Sequence, residues 1–288
     1  MTKKRRIVGN ARTPGWERDD LGYIAKPDEI YEIRALKNIG LMKLVWVHAT
    51  PCRKPLLEAA CALIPALEIE LDPRMRELKW VESFLIKCSN LKQLCVRFAT
   101  CGGYIPGLHH RFFNDIAATP RVVPPVETLM LVTNGFTQAQ LTKFVGRFKD
   151  TIRSIELCDI HIDEDGSWAS FLGWLQENIP NLERFEFQAL QHGRWPNPKT
   201  VCFESIFKDP ELVFKDNPRT QNPYVELAGG RLELDTYRAT RGNGPVCNVA
   251  FKGSNAGARE ALRLLALAAV PRALREGLTR CMPRIRVW

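Results

Sequence analysis

Four groups of side chains in this chain of 288 residues have the types and spacing to do chemistry. The densest is His161-Ile162-Asp163-Glu164-Asp165, whose carboxylates are the oxygen donors a hard cation uses. An acidic loop standing before a helical pattern also serves as cap and dipole compensation, and that is the preferred reading. Cys88, Cys95, Cys101, His109 and His110 are zinc-ligand types, yet their spacings of 7, 6 and 8 residues fit none of the usual structural zinc patterns. Cysteines in such a setting read as small buried hydrophobes. Gly242-Asn243-Gly244-Pro245 lacks the third glycine of a dinucleotide loop, Gly102-Gly103-Tyr104 reads as a turn, and no P-loop lysine, nucleophile elbow or triad signature occurs. The sequence therefore predicts no enzyme, no metal site and no cofactor.

The fourth group is basic. The net charge of +9 divides into +3 over residues 1–20, +8 over residues 238–288 and −2 over the rest. Lys3-Lys4-Arg5-Arg6 has the composition of a nuclear-import signal or a phosphate-binding arm, and also of plain solubilising charge. Arg259, Arg263, Arg272, Arg275, Arg280, Arg284 and Arg286 carry the alternative function, binding of nucleic acid or an anionic surface through the termini. They do not build one long basic helical face, and stacking aromatics are nearly absent among them, so nucleic acid is not the expected partner.

Nine cysteines with no C-x-x-C pair, no Asn-x-Ser/Thr acceptor and no apolar run behind the basic start point to an intracellular protein, cytoplasmic or nuclear. The longest apolar stretch, around Leu264 to Val270, is too short to span a bilayer and is flanked by arginines. With 45% apolar residues the chain can bury a sizeable core.

Positioning comes from a repeat. Six blocks place apolar residues at their first, fourth and sixth positions: Leu41, Leu44, Trp46; Ile64, Leu67, Ile69; Leu91, Leu94, Val96; Val126, Leu129, Leu131; Ile152, Ile155, Leu157; Leu182, Phe185, Phe187. Their starts lie 23, 27, 35, 26 and 30 residues apart, mostly within or near the leucine-rich-repeat range, and Val126 to Asn134 fits L-x-x-L-x-L-x-x-N in full. Between blocks, Leu141, Phe144, Val145, Phe148 and again Trp168, Phe171, Leu172, Leu175 follow i, i+3, i+4, i+7, the second set opened by Asp165-Gly166-Ser167 as capping residues. Trp80, Phe84, Leu85, Cys88 and Leu108, Phe112, Phe113, Ile116 repeat the theme less regularly.

A strand and a helix that cannot bury their apolar faces alone must stack on neighbours. The predicted fold is accordingly α/β, a leucine-rich-repeat-like solenoid of ribonuclease-inhibitor type with a parallel sheet on the concave side and helices on the convex side. Residues 1–27 read as a flexible basic arm, 28–190 as the solenoid opened by a short helix over Ile30–Asn38, and 191–223, with five prolines, as an irregular connection with one short helix near 201–208. Residues 224–288 read as a terminal cap, with a strand or hairpin at Tyr224–Leu227 and Leu232–Tyr237 and a helix from Ala256 that Pro271 ends. Alternation along a strand sends block positions three, five and seven to the concave face. That selects Lys43, Val45, Glu68, Glu70, Gln93, Arg97, Thr128, Met130, Ser154, Glu156, Arg184, Glu186 and Gln188 as partner-binding residues.

From Val126 to Leu190 the chain resembles the C-terminal leucine-rich-repeat-like region of ascomycete F-box and F-box-like proteins. Leu129, Leu131, Leu141, Phe144, Ile155, Leu157, the Gly166-Ser167-Trp168 step into a helix, Leu172, Leu175, Pro180-Asn181-Leu182-Glu183 and Phe185 carry the match. The resemblance implies a substrate receptor whose repeats bind a protein client while an F-box docks on a ubiquitin-ligase adaptor. Residues 1–40 hold no early Leu-Pro with spaced leucines of the F-box kind.

Overall fold

The computed structural model describes residues 61–71, 85–98, 113–114, 116–118, 123–193, 197–236 and 246–272, and the backbone alone of strands Ile33–Leu36 and Leu41–Val45 and of Glu70, Leu71 and Thr236. The arm at 1–27, Cys101, His109, His110, Gly242, Gly244, the arginines from 275 onward and the side chains of Lys43, Val45 and Glu70 lie outside that description. The chain divides into two units, Met1–Val126 and Glu127–Trp288.

In the first unit β1 (Ile33–Leu36) pairs antiparallel with β2 (Leu41–Val45), and β2, β3 (Ala66–Leu71) and β4 (Gln93–Phe98) follow in parallel. The helix expected over Ile30–Asn38 is thus corrected to a strand. The helical spacing there spans only nine residues, and pairing of Ile33–Leu36 with Leu41–Leu44 overrides so short a pattern. Along β4 the side chains alternate, with Leu94, Val96 and Phe98 at most 1% exposed.

The second unit begins with β5 (Thr128–Phe136), α1 (Gln138–Gly146), β6 (Ser154–Ile162), α2 (Trp168–Asn178) and β7 (Arg184–Gln188), the three strands parallel. Residues 191–223, expected to be irregular, carry β8 (Gln191–His192), β9 (Lys199–Cys202), a 3-10 helix at Glu204–Lys208 and β10 (Phe214–Asp216). Short backbone pairings tolerate the prolines because Pro196 and Pro198 precede β9, and Pro210 and Pro218 flank β10. Then come β11 (Pro223–Leu227) and β12 (Gly230–Thr236), a hairpin turning at Ala228-Gly229, β13 (Val246–Gly253), α3 (Asn255–Ala268) and β14 (Val270–Arg272). The strand order is β5-β6-β7-β13-β12-β11-β10, antiparallel from β7 onward. Beyond that path β8 pairs with β6 and β9, and β9 with β14. This is a mixed α/β architecture with parallel ladders joined to an antiparallel half.

The repeat is visible in the hydrogen bonds. The carbonyl at block position two accepts from the N–H groups at positions two and three of the next block: Pro65 from Lys92 and Gln93, Glu127 from Arg153 and Ser154, Arg153 from Glu183 and Arg184. An asparagine just before the block adds a side-chain version. Asn90 Nδ2 donates to the Ala62 carbonyl at 2.6 Å, and Asn181 Nδ2 donates to the Asp150 carbonyl at 2.8 Å, the same step in each unit. These bonds tie each loop to the loop of the next block.

Helix α1 buries Leu141, Phe144 and Val145 and starts from a capping box in which Thr137 accepts from Gln140 N–H and the Gln140 side chain accepts from Thr137 N–H. Helix α2 buries Trp168, Phe171, Leu172 and Leu175 and lies beside both α1 and α3. Ser167 caps it by accepting from Ser170 N–H. Gly166 is there for space: a Cβ would meet Ile162 Cγ2 at 2.6 Å and Gln138 Cβ at 2.7 Å. Gly166→Ala should lower the unfolding free energy by about 1–3 kcal/mol through overpacking, read as a lower urea midpoint with an unchanged slope. An unshifted midpoint would show that this approach of β6 to α1 is not fixed.

Candidate functional site

One face of the second unit's sheet is sealed. Leu129, Leu131, Ile155, Leu157, Phe185, Phe187, Val249, Phe251, Leu232 and Leu234 are each at most 2% exposed. The alternate side chains form the other face, and register arranges them in rows across five strands. Thr128, Ser154, Arg184, Lys252 and Arg231 stand in one row; Met130, Glu156, Glu186, Ala250 and Glu233 stand in the next. A basic row therefore runs beside an acidic one, because residues two apart on a strand share a face and β7 and β12 each carry an arginine two residues before a glutamate.

The geometry locks these rows together. Arg184 Nη2 lies 3.2 Å from Glu156 Oε1 and 3.6 Å from Glu186 Oε2, and the Gln188 amide donates to Glu186. Arg231 Nη1 lies 3.9 Å from Glu233 Oε1, its guanidinium carbon 4.1 Å from the centroid of the Tyr224 ring, and Asn217 Nδ2 donates to Glu233 at 2.7 Å. Lys252 is exposed in the middle of the basic row. Such partly exposed pairs add little to stability. Their consequence is a face whose charged groups are already ordered before anything binds it.

Thr128, Met130, Ser154, Arg184, Glu186 and Gln188 stand on this face, half-buried. Glu156 shares the face but is 9% exposed, so Arg184 is the accessible part of that pair. In the first unit Glu68, Gln93 and Arg97 share the corresponding face of β3 and β4, with Arg97 Nη2 3.6 Å from Glu68 Oε1. Sequence reasoning missed Lys252, Arg231 and Glu233. The alternation of Cys247, Val249 and Phe251 was the signal for β13, which carries Lys252 and pairs with the strand of Arg231 and Glu233.

A second polar cluster lies at the C-terminal ends of β5 and β6. Thr133, Asp159 and Ala189 occupy equivalent eighth positions of three consecutive blocks, all left-handed at φ +53°, +54° and +49°. The turn drives the next residue inward, and Asn134 is 2% exposed with Nδ2 donating to the Val132 carbonyl at 2.9 Å. Asp159 Oδ1 accepts from Gln191 Nε2 at 2.7 Å, and the Gln191 carbonyl accepts from Trp168 Nε1 at 2.8 Å. His161, 5% exposed, has Nε2 2.5 Å from the Gly193 carbonyl oxygen and Nδ1 3.4 Å from Asp163 Oδ1. These contacts tie β6 to the loop after β8. Among the described residues no group of three or more His, Cys, Asp or Glu is placed to hold a metal ion.

Burial pushes the Asp159 carboxyl above its ordinary range, against a smaller opposing effect of its hydrogen bond with Thr133. The folded state then holds its proton more tightly than the unfolded state, so Asp159 is neutral to stability at low pH and destabilising once the pH exceeds the unfolded value. Asp159→Asn should gain on the wild type as the pH rises from about 3 to 7. Parallel denaturation curves of the two proteins over that range check the sign.

At the C-terminal end, Arg263 is paired with Glu260 at 2.7 Å and Arg272 with Glu204. Two of the arginines behind the anionic-surface reading are thus already engaged by carboxylates. Among the described residues no helix is long and apolar enough to cross a membrane.

No protein-family model matches the chain, and no curated protein does. Among solved structures it is similar to a leucine-rich repeat-containing protein from Legionella pneumophila, at 16% identity and a TM-score of 0.30, over 52% of this chain and 55% of that one. The chain thus spans about half the length of that structure, and nothing in these comparisons concerns F-box proteins. A superposition at that score carries no argument of its own.

Proposed function

We propose that this chain is a protein-interaction module, a leucine-rich-repeat-like solenoid that receives a protein partner on the concave strand face. The observation that supports this reading most is a two-row band of largely polar and charged side chains, most of them half-exposed or exposed, that crosses β5, β6, β7, β13 and β12 while the opposite face is sealed by apolar side chains. Ordered charges of both signs favour a partner with a complementary charged surface, since such rows set register and orientation more than raw affinity. The finer assignment is the substrate-recognition part of an F-box-like ubiquitin-ligase receptor, and it rests on the resemblance carried by residues 126–190.

The test is affinity purification of the tagged chain from its native cells, run beside a variant carrying Met130→Ala, Arg231→Glu and Lys252→Glu. The wild type should retain a protein that the folded variant binds about tenfold more weakly or worse. Retention by a folded variant removes this face from the function. Recovery of a ubiquitin-ligase adaptor and cullin with the wild type supports the receptor assignment, and a different partner without them overturns it.

A further inference from the structure

Away from the charged face, Cys202 at the end of β9 and Cys247 in β13 are reduced thiols, 1% and 4% exposed, with their sulfurs 3.6 Å apart. The backbones that carry them are already joined. Phe203 N–H donates to the Val246 carbonyl at 2.9 Å, and β9 is held from its other side by β14, where Cys202 pairs with Val270 and Arg272 pairs with Glu204. A disulfide has its sulfurs about 2.05 Å apart, so bond formation needs a contraction of roughly 1.5 Å, within reach of side-chain rotation.

The two sulfurs are also chemically unlike the other described thiol pair. The hydrogen bond with Cys247 is the largest influence on Cys202 and holds its pKa below the ordinary thiol value, which favours the thiolate; burial and Glu204 oppose this and Arg272 assists it. Cys88, beside Cys61 in the first unit, is pushed far up by the hydrogen bond with Cys61 and by burial. Of Cys202 and Cys88, Cys202 is therefore the thiol with more thiolate character and the better nucleophile toward an oxidant.

We propose that Cys202 and Cys247 form a dithiol redox site that a small peroxide oxidises to a disulfide, locking β9 against β13. The Cys202 thiolate attacks one oxygen of hydrogen peroxide, the O–O bond breaks, hydroxide leaves, and Cys202 becomes a sulfenic acid. The Cys247 sulfur then attacks the Cys202 sulfur, and the hydroxyl departs as water with the Cys247 proton. In sum two thiols give up two electrons and two protons, and one peroxide becomes two waters. A water-sized oxidant suits thiols this deeply buried, where glutathione disulfide would not fit. The bond closes a loop over residues 202–247, which holds the 3-10 helix and strands β10, β11 and β12, so oxidation fastens the outer antiparallel strands.

The experiment treats the full chain with graded hydrogen peroxide, alkylates remaining thiols in denaturant and maps the peptides by mass. The expected product joins the peptides of Cys202 and Cys247 with loss of two hydrogens, appears at lower dose than any modification of Cys61 or Cys88, and reverses with dithiothreitol. The oxidised chain should melt roughly 5–10 °C higher than the reduced one. In Cys247→Ala the sulfenic acid at Cys202 should persist and be trapped by dimedone. Recovery of both cysteines as alkylated thiols while other cysteines oxidise overturns the proposal, as does a Cys202 linked elsewhere. Mapping of the wild type decides the matter even where Cys247→Ala fails to fold, and the result is independent of what binds the charged face.

Discussion

Trp168→Ala should lower the unfolding free energy by about 3–5 kcal/mol, the usual loss when a buried aromatic is truncated and its cavity only partly collapses. The indole is 2% exposed and meets the edge of Phe171 with ring centroids 5.8 Å apart at 83°. Its Nε1 donates to the Gln191 carbonyl at 2.8 Å, and the side chain of the same glutamine holds Asp159. Trp168 therefore couples the first turn of α2 to the ends of β6 and β8. Trp168→Phe separates the contributions: it keeps most of the apolar burial and leaves the Gln191 carbonyl without its donor, a loss of about 1–3 kcal/mol. Urea denaturation of both variants measures this. If Trp168→Ala cost less than about 1 kcal/mol, α2 would not be packed as described.

The Gly166-Ser167-Trp168 step was legible in part: Ser167 caps and Trp168 anchors as read, while Gly166, read with the capping residues, is there for close approach. The block frame was legible as well. Strands β3 to β7 each begin at the third block position, and consecutive blocks pair in frame: Ala66 with Gln93, Thr128 with Ser154, Ser154 with Arg184. At β2 the frame slips by two residues, so that Met42 and Leu44 stand opposite Leu67 and Ile69. Leu41, Met42 and Leu44 are all apolar, so composition does not choose between the two frames, and backbone pairing does. A slip of two keeps the pleat, and Lys43 stays in the alternation that places it opposite Glu68.

What stayed hidden has physical causes as well. Period-two alternation states which side of a strand is buried and is silent about which strand lies beside it. Strand β13 pairs with β7 across more than fifty intervening residues, so local alternation could mark the strand but not place Lys252 and Arg231 beside Arg184. The left-handed turns at Thr133, Asp159 and Ala189 escaped for the opposite reason. Such turns are read from glycine, and none of the three positions carries one. Gln191 is a hub through one side-chain bond and one carbonyl, which no pattern of residue types encodes.

Phe251→Ala should cost about 3–5 kcal/mol and should act on the antiparallel half before the parallel one. The ring stacks on Phe185 with centroids 5.5 Å apart, and Phe185 stacks on Phe187 at 4.8 Å, so three rings seal the boundary between β7 and β13. Glycines make the room: a Cβ on Gly253 or on Gly257 would come within 2.9 Å of the Phe251 ring. Strand β13, the turn after it and the first turn of α3 are thus shaped around one side chain that is 1% exposed. Removing it leaves a cavity lined by glycines, which have no side chains to move in and fill it. Hydrogen exchange at residues 223–235 and 246–253 should quicken in Phe251→Ala well before exchange at residues 128–132 does, because opening of β11, β12 and β13 no longer has to break the stacked rings. Uniform acceleration across the second unit would mean instead that its two halves unfold as one.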